Sequence, residues 1–293
     1  MNMEKEIIQE AESKLFEAIG NRCNIVNLKP VGGGCINQSL EVITQSGNYF
    51  IKLNDAAAYP GMFEAEAYGL DLLRKAKALS VPSVITLGEA QGKSFLILEW
   101  IESGKRAKNF FEDFGKHLAL LHSQTANFYG LDKNNYIGSL MQYNTPAESY
   151  IDFFILQRLD VHIRSAVDYG KLPPAVLKSF ERLYIKLPEI IPAEKPALLH
   201  GDLWNGNFMT GADGYACLFD PSVYYGHRET DLAMTLLFGG FDNDFYESYH
   251  SHFPLEKNWR KRVDIFNLYP LLVHVNLFGG GYAGEVMRIV KRF

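Results

Sequence analysis

The segment Leu198-Leu-His-Gly-Asp-Leu-Trp-Asn-Gly-Asn207 places a histidine, an aspartate and an asparagine at the spacing H-x-D-x-x-x-x-N, and a Phe-Asp-Pro step follows at Phe219 to Pro221. A kinase catalytic loop has that spacing, with the aspartate orienting an attacking hydroxyl and the asparagine holding a metal. A phosphoryl group in flight carries its charge on non-bridging oxygens. Catalysis is therefore mostly Mg²⁺ clamping plus alignment of the acceptor, which needs carboxylate and carboxamide oxygens rather than a covalent nucleophile. Asp202 is the expected catalytic base, and Asn207 and Asp220 are the expected metal ligands. Taken singly, His200 reads as a core histidine and Asp202 as a helix cap. The joint spacing carries the reading.

These residues need elements to bring them together. Phe208-Met-Thr-Gly-Ala-Asp-Gly-Tyr-Ala-Cys-Leu-Phe219 reads as two short strands joined by a turn at Gly211 to Gly214, a hairpin that would return Asp220 to the side of Asn207. Upstream, apolar residues at helical intervals from Ile7 to Ile19 predict a helix ending at Gly20. Three β-favouring runs follow, Ile25 to Leu28, Gln38 to Thr44 and Asn48 to Leu53, then a helix from Phe63 and two strands, Val84 to Leu87 and Ser94 to Trp100. Beyond a polar stretch from Ile101 to Lys105 the pattern is almost all helical: Asn109 to His122, Ala147 to Tyr169, Ala175 to Leu187, Thr230 to Phe238 and stretches after Trp259. The expected architecture is α+β and bilobal, protein-kinase-like, with a small β-rich N-lobe over residues 1–101 and a larger helical C-lobe over 102–293. ATP is expected in the cleft between them.

Lys52 sits in the third strand of the small lobe, where kinases place the lysine that pairs with the nucleotide phosphates. Inside the apolar run Phe50-Ile-Lys-Leu53 it must face solvent or a carboxylate, and the following helix offers Glu64 and Glu66, of which Glu66 is preferred. Gly32, Gly33 and Gly34 lie between the first two strands, where backbone N–H groups can approach an anion without a Cβ in the way. The triple glycine is not G-x-G-x-x-G, and its position in the chain gives it weight. Leu98, Glu99, Trp100 and Ile101 lead into the hinge, where backbone groups are placed to grip an adenine edge.

The composition bounds the rest. A chain of 293 residues with 47% hydrophobic and 22% charged residues is long enough for two lobes and is not of the disordered class. A net charge of −5 argues against a nucleic-acid binder, so the partner is expected to be a small molecule. There is no apolar h-region at the N-terminus and no window of 18 uncharged apolar residues, so neither membrane nor secretion is expected and the cytoplasm is. Three cysteines, Cys23, Cys35 and Cys217, lack metal-ligand spacing. Cys35, beside phosphate-binding amides, is a candidate redox thiol that could link a dimer of an otherwise monomeric chain, and the alternative is an inert side chain packed under the loop.

Protein kinases insert a long activation segment after the metal-binding aspartate and close it with Ala-Pro-Glu. Here Asp220-Pro-Ser-Val-Tyr-Tyr-Gly-His-Arg-Glu-Thr-Asp-Leu-Ala-Met234 runs almost directly into a helix, leaving no room for a protein-substrate platform. Trp204, two residues after Asp202, offers an indole face to a sugar or its attached group, and His227 is a second candidate substrate contact. Asp231 reads as a cap or brace of the helix near Thr230.

On these residues the chain resembles the fructosamine/ketosamine 3-kinases, relatives of the aminoglycoside phosphotransferases. The resemblance rests on Gly32-Gly-Gly-Cys-Ile-Asn37, Met62-Phe-Glu-Ala-Glu-Ala67, the His200 to Asn207 loop, Asp220-Pro221, the Tyr224 to Met234 segment and Leu237-Phe-Gly-Gly-Phe241. It spans nearly the whole chain, and the last two motifs set it apart from aminoglycoside and choline kinases. It implies ATP- and Mg²⁺-dependent phosphorylation of the 3-hydroxyl of a fructosamine or ribulosamine, whose unstable product sheds the sugar and so deglycates an amine or protein. The alternatives are a kinase of an aminoglycoside, amino alcohol or free sugar, and a catalytically dead nucleotide binder. One residue departs from the resemblance: Ser222 stands where alanine is expected.

Overall fold

A computed structural model of the chain describes residues 2–21, 23–32 and 36–293. Contacts divide it into two compact units, Met1–Ala107 with Met209–Phe219, and Lys108–Phe208 with Asp220–Phe293.

The first unit opens with helix α1 (Asn2–Ile19), followed by β1 (Ile25–Pro30), β2 (Gln38–Thr44), β3 (Asn48–Asp55), α2 (Met62–Ala76), β4 (Val84–Ala90) and β5 (Lys93–Glu99). The strands form one antiparallel sheet in the order β1-β2-β3-β5-β4. Side chains alternate between faces along a strand. Ile51 of β3 therefore joins Val42, Phe95 and Ile97 in a core closed by Ala11 and Leu15 of α1, and Lys52 turns to the opposite face. On α2 the buried residues Phe63, Leu70 and Leu73 share a stripe at helical spacing, and Glu66 falls on that stripe between Phe63 and Leu70.

The second unit begins with α3 (Phe110–His122), a small hairpin of β6 (Asn135–Ile137) and β7 (Leu140–Gln142), and a long helical run of α4 (Tyr150–Phe153), a π-helical stretch Phe154–Leu159 and α5 (Asp160–Asp168). Then come α6 (Val176–Ile190), β8 (Ala197–Leu199) and the first residue of β9 (Phe208–Thr210); the rest of β9 and β10 (Ala216–Leu218) belong to the first unit, and the second continues with β11 (Tyr224–Gly226), α7 (Glu229–Leu237), α8 (Asn243–His252), α9 (Trp259–Phe266), α10 (Leu268–Phe278) and α11 (Gly281–Val290). The expected catalytic hairpin is present as the β9–β10 pair, closed by a Gly214 N–H to Gly211 carbonyl bond of 2.9 Å.

Three features were not expected from the sequence. The β6–β7 hairpin and the β8–β11 pair consist of three-residue strands, too short to show alternation. Helix α8 is rich in Tyr, His and Ser rather than aliphatic residues. It forms because Asp242 caps it, accepting from the Asp244 N–H at 3.0 Å, and because Gly115 of α3 lets its backbone come close. A Cβ on Gly115 would lie 2.1 Å from the Phe245 carbonyl oxygen. Beneath the end of the catalytic loop Phe114, Phe208, Phe241 and Phe245 form an aromatic core with centroids 5.0–5.5 Å apart. Phe208 thus anchors the residue next to Asn207. No helix among the described residues is long and apolar enough to cross a membrane.

Candidate active site

The catalytic loop leaves β8 at Leu199, and the segment after Asp220 runs into β11. Because β8 and β11 pair antiparallel, Tyr224 opposite Leu199, the two segments are held side by side. Ser222 donates its N–H to the His200 carbonyl at 2.9 Å. Gly201 is required at this approach: its φ is +83°, and a Cβ there would lie 2.0 Å from the Ser222 carbonyl oxygen.

Within the loop Asn207 donates from Nδ2 to both the backbone carbonyl and the Oδ2 of Asp202, each at 2.8 Å. The carboxyl of Asp202 is thereby fixed in orientation. Asp220 has a φ of +54°, a left-handed conformation that is strained for a residue other than glycine and typical of functional turns. Carboxamide and carboxylate oxygens are the donors a hard cation such as Mg²⁺ takes, usually alongside phosphate oxygens and water. Among the described residues no cluster of three or more His, Cys, Asp or Glu side chains could hold a metal by itself.

The residue Asp202 reaches the surface in part, yet its carboxyl is enclosed by protein. Burial pushes its pKa up to about 7, with smaller contributions in the same direction from Asp220 and Asp231 and an opposing one from the Asn207 hydrogen bond. The sign of the consequence follows from proton linkage. The folded state holds this proton more tightly than the unfolded chain, so the associated stability is present below the unfolded carboxyl pKa near 4 and is lost as pH rises through about 7. In metal- and nucleotide-free buffer the stability of the wild type relative to Asp202→Asn should fall between pH 4 and 7, with a slope of up to ~1.4 kcal/mol per pH unit. Denaturant titrations across that range check it, and a flat difference would contradict the buried carboxyl.

Asp231 supports the loop from below. Wholly buried on α7, it accepts the His200 N–H at Oδ2 (2.8 Å) and the Gly201 N–H at Oδ1 (2.9 Å), while His122 Nε2 stands 3.2 Å from Oδ2. Burial lowers the pKa of His122, so the ring is neutral. It donates from Nε2 to Asp231 and accepts the Tyr249 hydroxyl at Nδ1, 2.8 Å away. Asp231 lies inside α7 and does not cap it; its carboxyl grips the loop instead, a role that sequence reasoning missed. His122 and Tyr249 are 109 and 127 residues from their partners, and no local signal marks them.

Trp204 folds its indole across Gly206, where a Cβ would lie 2.3 Å from the ring, and meets Phe238 edge-on at 5.5 Å. It is half-buried. His227 is a correction to the expected substrate contacts. It is completely buried, with Phe266 and Tyr150 against its ring at 4.9 and 5.2 Å, and Nε2 donates to the Pro192 carbonyl. Burial pulls its pKa down to about 3, so the 3.1 Å approach of Glu194 is not an ion pair. The ring packs the core of its unit and does not reach a substrate.

In the first unit Lys52 is 3% exposed and its Nζ lies 2.6 Å from Glu66 Oε1. Glu64, two residues earlier on α2, is exposed. The helical stripe decides between them. Glu66→Gln should raise the KM for ATP about tenfold, the factor of ~1.4 kcal/mol, because Lys52 loses the charged partner that orients its ammonium, while Glu64→Gln leaves it unchanged; initial rates against ATP check both. Leu98 is buried, Glu99 exposed, and Trp100 and Ile101 half-buried. The Glu99 N–H is already bound to the Ser83 carbonyl at 2.9 Å, so it is not a donor for adenine. Gly32 is exposed with open space where a Cβ would point. Gly33, Gly34 and Cys35 lie outside the described residues. Cys23 and Cys217 are buried and in no disulfide.

The fructosamine kinase family model matches residues 7–293. A candidate ketoamine kinase of Enterococcus faecium is 38% identical over 266 residues, covering 90% of this chain and 94% of its own. The chloroplastic protein-ribulosamine 3-kinase of Arabidopsis thaliana is 35% identical, covering 94% and 84%. The crystal structure of a candidate fructosamine-3-kinase from Haemophilus somnus superposes with a TM-score of 0.89 at 29% identity, covering 99% and 97%. Spectinomycin and aminoglycoside phosphotransferases at 16% identity share the fold alone. With an α+β, protein-kinase-like fold and a family match over nearly its entire length, the chain belongs to the fructosamine kinase family.

Proposed function

We propose that this chain transfers the γ-phosphoryl group of ATP to the 3-hydroxyl of a ketosamine, a fructosamine or ribulosamine carried by a small amine or a protein, and so initiates deglycation in the cytoplasm. The observation that carries the reading is the Asp202–Asn207 contact. Asn207 Nδ2 holds Oδ2 of the carboxyl at 2.8 Å, which leaves the other oxygen to align the acceptor hydroxyl and take its proton, general-base help of ~10²–10⁴-fold. Asn207 and Asp220 would hold Mg²⁺, which neutralises charge on the transferring phosphate when bound. Lys52, set by Glu66, would meet the nucleotide phosphates.

Two further features favour a small acceptor. Asp220 is followed within nine residues by α7, with no segment on which a protein substrate could be threaded. Trp204, two residues after the base, has a half-buried indole suited to the apolar face of a sugar. The test is ATP consumption with Mg²⁺ against a fructosamine, a ribulosamine, free ketoses and an aminoglycoside, with the product phosphate located by NMR. Phosphate on O3 of a ketosamine supports the reading. Turnover on another acceptor only would retain the catalytic residues and overturn the deglycation role.

A further inference from the structure

The β6–β7 hairpin is bonded to the chain just past Asp220 by groups that the mechanism above does not use. Ser222 donates its hydroxyl to the Tyr136 carbonyl at 2.8 Å, Gln142 Nε2 donates to the Ser222 carbonyl at 3.0 Å, and Asn135 Nδ2 donates to the Val223 carbonyl at 2.8 Å. All three side chains are buried. Behind them runs an ordered chain of donors. Arg158 Nη2 donates to Asn144 Oδ1 (2.7 Å), Asn144 Nδ2 to Asn135 Oδ1 (2.9 Å), and Tyr269 fixes the orientation of Gln142 by donating to its Oε1 (2.5 Å). Arg158 is wholly buried in the π-helical stretch, its guanidinium 4.0 Å from the Tyr224 ring centroid and 4.5 Å from that of Phe153. A cation at the head of such a chain polarises every bond after it.

A left-handed aspartate persists only where its surroundings over-determine it. Here the bonds land two and three residues beyond Asp220, on carbonyls that an undistorted turn could leave to water. We propose that the β6–β7 hairpin is a clasp that fixes Asp220 in its cation-binding conformation, with Asn135, Gln142 and the Ser222 hydroxyl as its positioning groups. It deepens the phosphotransferase reading and rests on it. The departure at Ser222 then has a purpose, since alanine could not make the bond to Tyr136.

The experiment measures Mn²⁺ binding by electron paramagnetic resonance in the presence of a non-hydrolysable ATP analogue, for wild type, Ser222→Ala and Asn135→Ala, with thermal midpoints recorded alongside. Ser222→Ala should weaken Mn²⁺ about 5-fold, the factor of one hydrogen bond of ~1 kcal/mol, and Asn135→Ala by tenfold or more, with the KM for ketosamine unchanged. A purely structural hairpin would lower the midpoints and leave Mn²⁺ affinity alone, and that result overturns the clasp. If Asn135→Ala does not fold, Ser222→Ala decides. A wild type that binds no Mn²⁺ with the nucleotide sinks both readings. One that binds it and ignores ketosamines sinks the acceptor alone.

Discussion

Asp202→Asn lowers kcat by ~10²–10⁴-fold and leaves the KM for ATP close to the wild-type value. Asparagine is isosteric, so Asn207 can still donate to an oxygen at that position, and the loop keeps its backbone bonds to Asp231. What is lost is the capacity to take a proton. The variant should also be the more stable protein at neutral pH, because the wild type must bury a carboxylate whose pKa is pushed up to about 7. A fall in turnover together with a rise in stability distinguishes a base from a structural aspartate, which would lose both. Near-normal kcat would remove Asp202 from the mechanism.

The sequence was legible where partners are close along the chain or where a period decides. Asp202 and Asn207 are five residues apart, and the hairpin that returns Asp220 is marked by the glycines at both ends of its turn. The apolar run around Lys52 called for solvent or a carboxylate from the next helix, but sequence left Glu64 beside the preferred Glu66, and only the fold makes the choice, with Glu66 on the buried stripe of α2. The supports of the site were not legible, because they are buried polar groups brought together from distant elements. Asn135, Gln142 and Arg158 look like ordinary surface residues in sequence and are satisfied only by bonds across the unit. His227 shows the opposite error: its motif suggested chemistry, and the fold spends it on packing.

Asp231→Asn should cost both stability and turnover. The carboxylate receives three donors, two backbone N–H groups of the catalytic loop and the Nε2–H of neutral His122. Asparagine offers one oxygen, and its NH₂ must point at one of those donors, leaving at least one buried N–H unbonded at about 1–3 kcal/mol each. Removal of the charge-assisted bonds adds to that, so a loss of about 3–5 kcal/mol in denaturant unfolding is expected. The kinetic effect has a separate origin. His200 and Gly201 precede Asp202 directly, and a loop freed from its brace moves the base by a fraction of the ~1 Å that is worth ~10²-fold in rate. The kcat per folded molecule should therefore drop while the KM for ATP stays near the wild-type value. Tyr249→Phe calibrates the chain of supports: it removes only the hydroxyl that orients His122, and its effect on kcat should be a small part of that of Asp231→Asn. Equal effects would mean that the imidazole, rather than the carboxylate, holds the loop.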